Sequence, residues 1–258
     1  MPSQADKGAA FRALHEGEPF VIPNPWDVGS ARVLEALGFQ ALATTSSGFA
    51  FTLGRLDGGA TLDEVCTHVA AISAATSIPL SVDLENGYGP PATAIERAAE
   101  AGAVGGSIED FDPDEGLYPL ETAVERVAAA VEAARALDFP FTLTARAENH
   151  IRDNPDLDDT IARLQAYERA GADVLYAPGL RTTDEIRTVA EAVSKPINVL
   201  AFGDLSLAEI GEAGGQRVSV GGGLALHAIA ELAAVAERMR EGDFSGLGAR
   251  PALRGWLG

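Results

Sequence analysis

The chain is 258 residues long, 47% hydrophobic, and carries a formal net charge of −19. That is enough for one domain with a substantial core, since an α/β barrel takes roughly 250 residues. A surface this acidic repels phosphate backbones and anionic bilayers, which excludes nucleic acid and membrane as expected partners. Cys66 is the only cysteine, so neither an internal disulfide nor a Cys-based zinc site can form. The opening MPSQADKGAAFRALHEGEPF has no apolar signal core, and no stretch reaches 18 uninterrupted apolar residues, so a cytoplasmic protein is expected.

In chain order, the first predicted strand is FVIPNP from Phe20, and the second is ALATTSSG from Ala41. A helix follows in TLDEVCTHVAAISAAT, with Leu62, Val65, Val69 and Ile72 on one face and Cys66 read as core-facing. PLSVDLENG from Pro79 and GGSIED from Gly105 are the third and fourth strands. ETAVERVAAAVEAARAL repeats the helical spacing with Val124, Val127, Val131 and Ala134. FTLTARAE from Phe141 is the fifth strand, and the helix DDTIARLQAYERAGA after it aligns Ile161, Leu164 and Ala170. VLYAPG from Val174, INVLAF from Ile197 and RVSVGG from Arg217 complete eight strands. Gly38, Gly102 and Gly171 sit where left-handed helix caps are needed, and Asp158 and Asp184 fit helix starts. Regular βα alternation, with no G-x-G-x-x-G after the first strand, predicts a single (β/α)8 TIM barrel over residues 1–258. The tail at 243–258 carries Phe244, Leu247, Leu253, Trp256 and Leu257 beyond a helix that should already close the barrel. It is expected to dock on a neighbouring subunit.

In such a barrel the strand C-termini share one mouth, where chemistry resides. The predicted strands end there in Thr45-Ser46-Ser47-Gly48, Asp83 with Glu85, Glu109-Asp110, Arg146 with Glu148, and Asn198. Five carboxylates from three adjacent strands repel; each pair of charges about 4 Å apart costs on the order of 4 kcal/mol at an effective dielectric near 20. Something cationic should offset this: Arg146 is one candidate, and a hard divalent ion, Mg2+ or Mn2+, with oxygen ligands alone is the other. Asp83 and Glu85 are two apart, so on a strand they share a face. Arg146 is costly inside an apolar strand unless it pairs with Glu148 or clamps a substrate oxygen. The Ser46-Ser47-Gly48 turn offers donors to a ligand carboxylate.

At these residues the sequence resembles the isocitrate lyase/phosphoenolpyruvate mutase superfamily over nearly its whole length, from Pro23-Asn24-Pro25-Trp26-Asp27 to the last helix. The motifs that carry the resemblance are TSSG with LGRLDG, then DLENGYG, SIED and TARAE. It implies Mg2+ held by Asp83, Glu85 and Glu109, partly through water, with Asp57 facing the metal. It implies a small anionic substrate bound by Ser46, Ser47, Gly48 and Arg146, to which the strand-end reading adds Asn198 as an expected contact. Catalytic roles would fall to Arg146, Glu148 and Asp57. A homotetramer that exchanges its last barrel helix is the implied assembly.

The departures narrow the activity. Where the lyase branch has K-[KR]-C-G-H and the mutase branch E-D-K-x-F-P-K-x-N-S, this chain has DFDPDEGLYPLET, without Cys, His or Lys. The expectation is a metal-dependent lyase forming a pyruvate-type enolate by C–C cleavage or by decarboxylation of oxaloacetate type. Phosphonopyruvate mutase- or hydrolase-like P–C chemistry and a non-catalytic small-acid-binding paralogue are the alternatives. A retro-aldol cleavage would draw its acid or base from Tyr88, Tyr118, Glu148 or His150.

Overall fold

The computed structural model describes residues 1–248 and 253–257. Residues 249–252 and Gly258 of the predicted docking tail lie outside them. The elements run α1 (Gln4–Leu14), β1 (Phe20–Ile22), α2 (Val28–Ala36), β2 (Leu42–Ala43), α3 (Ser46–Thr52), α4 (Leu62–Ala75), β3 (Leu80–Asp83), α5 (Pro91–Glu100), β4 (Gly105–Glu109), β5 (Phe111–Asp112) and β6 (Gly116–Leu117). They continue with α6 (Leu120–Ala136), β7 (Thr142–Arg146), α7 (Leu157–Arg169), β8 (Val174–Tyr176), α8 (Thr183–Ala192), β9 (Ile197–Leu200), α9 (Leu207–Glu212), β10 (Gly215–Ser219), α10 (Gly223–Arg240) and α11 (Leu253–Leu257).

Eight parallel strands, in the order β1-β10-β9-β8-β7-β4-β3-β2, form the predicted (β/α)8 barrel. The seam between β1 and β2 has no regular ladder. Pro23 and Pro25 have no N–H to give there, so closure rests on the Ala43 N–H donating to Pro23 O at 3.1 Å and on the side chain of Asn24. That amide donates to Ala43 O and Thr44 O at 3.0 and 3.1 Å and accepts from Val220 N at 2.8 Å, which stitches β2 to the end of β10.

The larger core lies between strands and helices, where the predicted faces are buried: Val65, Val69 and Ile72 on α4, Val127 and Ala134 on α6, Leu164 on α7. Gly38, Gly102 and Gly171 have φ of 91°, 100° and 103°, as helix exits of this kind require. Asp158 and Asp184 occupy first turns, while Asp156 and Thr182 are the caps.

Four expectations are corrected. The start of the chain was given no element, yet α1 lies across the N-terminal end of the barrel and Phe11, fully buried, packs with Phe20, Ile22 and Ala41. Gly105 leaves room for the Phe11 ring, whose Cε1 stands 2.6 Å from where a Cβ would be. The TSSG segment is not a plain turn but the start of α3, because Thr45 caps it by accepting from Gly48 N. Cys66 is only half-buried. The helix expected to close the barrel, α10, instead buries only Ala225 of its 18 residues. Its apolar side chains Leu226 and Leu232 are 62% and 66% exposed, because no groove of its own barrel receives them.

Candidate active site

Every barrel strand contributes to one polar interior, and its C-terminal end opens into a cavity of about 320 Å3 bordered by Ser46, Asp57, Glu85, Glu109, Arg146 and Arg152. Arg146, at the end of β7, organises this mouth. Its Nε and Nη2 donate to Glu148 Oε1 at 3.0 and 2.7 Å, Nη2 lies 3.1 Å from Glu109 Oε2, and Nη1 lies 3.3 Å from Asp83 Oδ1. The guanidinium also lies over the Tyr176 ring, 5.1 Å from its centre. Arg146 is thus paired with Glu148, as one reading expected, and also borders the cavity.

Asp83 and Glu85 meet at the mouth by a route other than strand alternation. β3 ends at Asp83, and Glu85 has φ of 46°, in the left-handed region. The turn re-aims Glu85 toward Asp57 and Glu109, and Tyr88 OH donates to its Oε1 at 2.7 Å. Burial pushes Glu85 up to about 7 against the Tyr88 hydrogen bond, with Asp83 and Asp57 adding to the rise. Burial likewise pushes Glu109 up to about 8, with Arg146 opposing. Burial disfavours the Arg146 cation, but Glu148, Glu109 and Asp83 outweigh it and hold its pKa well above the ordinary arginine value.

Asp110 does not join the rim. As the neighbour of Glu109 it faces the other way, toward α7, where it accepts from Arg163 Nη1 at 3.0 Å and from Tyr167 OH. Its Oδ1 also accepts from Glu148 N at 2.8 Å, so the outward carboxylate fixes the backbone that presents Glu148. Glu148 is fully buried; its Oε2 stands 3.1 Å from Arg152 Nη2, an ion pair without a well-aligned hydrogen bond.

The predicted carboxylate-binding turn is partly used by the fold. Ser46 N donates to Asp83 Oδ2 at 3.1 Å, and Ser47 Oγ lies 3.1 Å from Thr45 Oγ1. Gly48 is close-packed, since a Cβ there would stand 3.0 Å from Trp26 Cβ and 3.2 Å from Ala225 Cβ. Asn198 sits below the mouth, 2% exposed, donating to Ser219 Oγ and accepting from Arg217 Nε. Of the candidate acids and bases, Tyr88 reaches Glu85. Tyr118 OH anchors the β5–β6 hairpin by donating to Asp112 Oδ2 at 3.2 Å. His150 turns away to Thr160 Oγ1 at 3.3 Å. Sequence reasoning missed Arg152, which stacks on Phe111 at 3.9 Å and pairs with Glu148 and Glu109. Its i,i+4 spacing from Glu148 was the available signal.

As placed, no three carboxylate, His or Cys side chains among the described residues converge as a ligand set for one ion. The donor chemistry still fits a hydrated hard cation. Asp57, Asp83, Glu85 and Glu109 supply only oxygen, and Mg2+ usually keeps several waters and takes one or two carboxylates directly. The raised Glu85 and Glu109 are the groups that such a cation would return to the ionised form.

Comparison with known proteins identifies the family and agrees with the fold. The phosphoenolpyruvate phosphomutase family matches residues 11–240. The crystal structure of a protein of Burkholderia cenocepacia J2315, described only as of lyase/mutase type, superposes with a TM-score of 0.95 at 51% identity, covering 98% of this chain and 97% of that one. The 2-methylisocitrate lyase of Escherichia coli K12 is 34% identical over 76% of this chain and 71% of its own. The oxaloacetate decarboxylase of Rhodopseudomonas palustris TIE-1 is 30% identical over 74% and 70% respectively. With the family match over residues 11–240 and the barrel fold in agreement, the chain belongs to the phosphoenolpyruvate mutase family within the isocitrate lyase/phosphoenolpyruvate mutase superfamily.

Proposed function

We propose that the protein is a Mg2+- or Mn2+-dependent lyase that cleaves the C3–C4 bond of a small 2-oxo acid, with decarboxylation of a 2-oxo dicarboxylic acid as its first substrate class. Asp83, Glu85 and Glu109 would hold the ion, partly through water, with Asp57 facing it, and it would supply Lewis acidity to the substrate's 2-oxo group.

The chain's own groups do the rest. Arg146, held on three sides by carboxylates, keeps its guanidinium fixed where negative charge grows on the 2-oxygen as the C3–C4 electron pair moves toward C2. Such a preorganised donor need not reorient during the reaction. Arg152, stacked on Phe111, lines the cavity from the hairpin side and limits the water that reaches the enolate. The departing CO2 is neutral and needs no acid. C3 then takes a proton from solvent.

The observation that carries this reading is the β5–β6 hairpin beside the mouth. It holds Asp112, Asp114 and Glu115 and no Cys, His or Lys, so it lacks a cationic or thiol acid for a charged leaving group and its carboxylates repel one. The relatedness to an oxaloacetate decarboxylase supports it. The test is a panel of 2-oxo and 2-hydroxy diacids assayed with Mg2+ for pyruvate release, with deuterium exchange at C3 of pyruvate measured in parallel. Turnover of 2-oxo diacids that is lost in EDTA is expected. Absence of both turnover and exchange would overturn the proposal in favour of a binding protein.

A further inference from the structure

Beneath the mouth, the axis of the barrel contains a second, smaller cavity of about 60 Å3 to which all eight strands contribute. Its floor is Arg217, only 5% exposed. Nε donates to Asn198 Oδ1 at 2.8 Å, Nη2 to Thr144 Oγ1 at 3.0 Å, and Nη1 to His15 Nε2 at 3.2 Å. His15 Nδ1 faces Phe11 O at 2.8 Å, which fixes the ring tautomer and makes Nε2 the acceptor. Burial, then the Arg217 charge, hold the His15 pKa down to about 3, so the ring stays neutral.

All three partners are therefore neutral, and no carboxylate among the described residues forms an ion pair with Arg217. Arg146 and Arg152 at the mouth, and Arg163 on α7, each have at least one carboxylate. Of five guanidinium N–H groups, three are used and two remain. The Ser81 and Ser107 side chains line the same cavity and make no side-chain hydrogen bond within the described residues. A buried cation surrounded only by neutral dipoles retains most of its desolvation cost, and water filling the cavity does not change the net charge. A monoanion would.

We propose that this interior cavity is a binding site for a small monovalent anion, a halide or a single carboxylate group, held by the two remaining Arg217 N–H groups and by the hydroxyls of Ser81 and Ser107. The cavity is continuous with the mouth, since Asp83 and Arg146 also line it, and the anion would sit at its floor on Arg217. Its two sources share one chemistry: an inorganic anion from solution, or the carboxylate end of a ligand entering from above.

Bromide is the probe. Crystals of the full chain soaked in sodium bromide should give an anomalous peak inside the cavity, within about 3.5 Å of an Arg217 Nη atom. In solution, sodium bromide should raise the melting temperature by a few degrees over sodium gluconate at equal ionic strength, since gluconate is too large for the cavity. Ser107→Val, which fills the cavity and leaves every Arg217 contact in place, should abolish both effects; Arg217→Met should do the same if it folds. Soaking pyruvate against bromide separates the sources: loss of the peak assigns the site to a ligand carboxylate, and its persistence assigns it to an inorganic anion. A cavity holding only water in bromide, with equal melting temperatures in the two salts, would overturn the proposal.

Discussion

Arg146 touches Asp83, Glu109 and Glu148, so replacing it removes one cation from three carboxylates at once. Breaking a buried ionic cluster from one side costs about 3–5 kcal/mol. Arg146→Met should therefore lower the melting temperature by roughly 10 °C, and Mg2+ should restore part of it if the carboxylates take the ion; calorimetry with and without the metal measures both. Asp83→Ala should be the most damaging single change to turnover, because Asp83 touches both Arg146 and the N–H of Ser46. The pH dependence follows from Glu85 and Glu109, whose pKa values rise on folding to about 7 and about 8. Between their unfolded values and those folded ones, the native state binds more protons than the unfolded state, so metal-free stability falls as pH rises through that window. Cation binding uses the deprotonated forms, so the stabilisation by Mg2+ should grow over the same interval. Thermal melts from pH 5 to 8.5 with EDTA or Mg2+ test this; a metal-free protein that gains stability with rising pH contradicts it.

At the scale of elements, the hairpin β5–β6 makes the sharpest statement about substrates. Losing a positioned general acid typically costs ~10² to 10⁴ in rate, and the hairpin's carboxylates also repel an anionic leaving group. Isocitrate, 2-methylisocitrate and phosphonopyruvate should each turn over at least ~10²-fold more slowly than the best 2-oxo diacid that leaves as CO2, as steady-state kinetics will show. The hairpin also marks the limit of what the sequence discloses. Its lack of Cys, His and Lys was plain, but its shape was not, because two-residue strands carry no period. Strand ends were legible for a simple reason: in a parallel barrel every strand points the same way, so the last polar residues of each meet. Glu85 was assigned to the mouth by alternation along a strand that had already ended, and a left-handed backbone delivered it there instead. Asp110 faces α7 because Arg163 and Tyr167 wait for it 53 and 57 residues later, a pairing that no local pattern encodes. The α1 helix escaped notice because its apolar residues are sparse, and its place is set by Gly8, Phe11 and His15 rather than by a continuous stripe.

For the molecule as a whole, α10 is the unfinished part. Leu224, Leu226, Leu232 and Met239 are all at least 36% exposed, and Phe244 and Leu247 extend the apolar surface beyond the helix. A patch of this kind marks an interface, and we propose a homo-oligomer, with a tetramer as the expected form. Light scattering at micromolar concentration should report a mass well above 26.7 kDa, and deletion of residues 223–258 should reduce it to that of a single truncated chain. A monomeric full-length protein would remove the argument.

The bond between the two ends of the barrel sets an order on how the chain can be completed during synthesis. Gln216 on β10 donates to Leu14 O, Gly17 O and Glu18 O, Arg217 on the same strand reaches His15, and among the described residues β1 has β10 as its only ladder partner. The stretch from Leu14 to Ile22 therefore waits for the last strand, about 200 residues later, before these partners exist, although Gln4 and Lys7 of α1 meet Ala99, Ala103 and Thr76 earlier. At ~5–20 residues per second that is an interval of tens of seconds. Throughout it, Phe11, Phe20 and Ile22 have no finished cavity to enter, and nascent chains arrested before Gly215 should be cut by protease near their N-terminus, whereas chains arrested far enough past Ser219 for β10 to clear the exit tunnel should not.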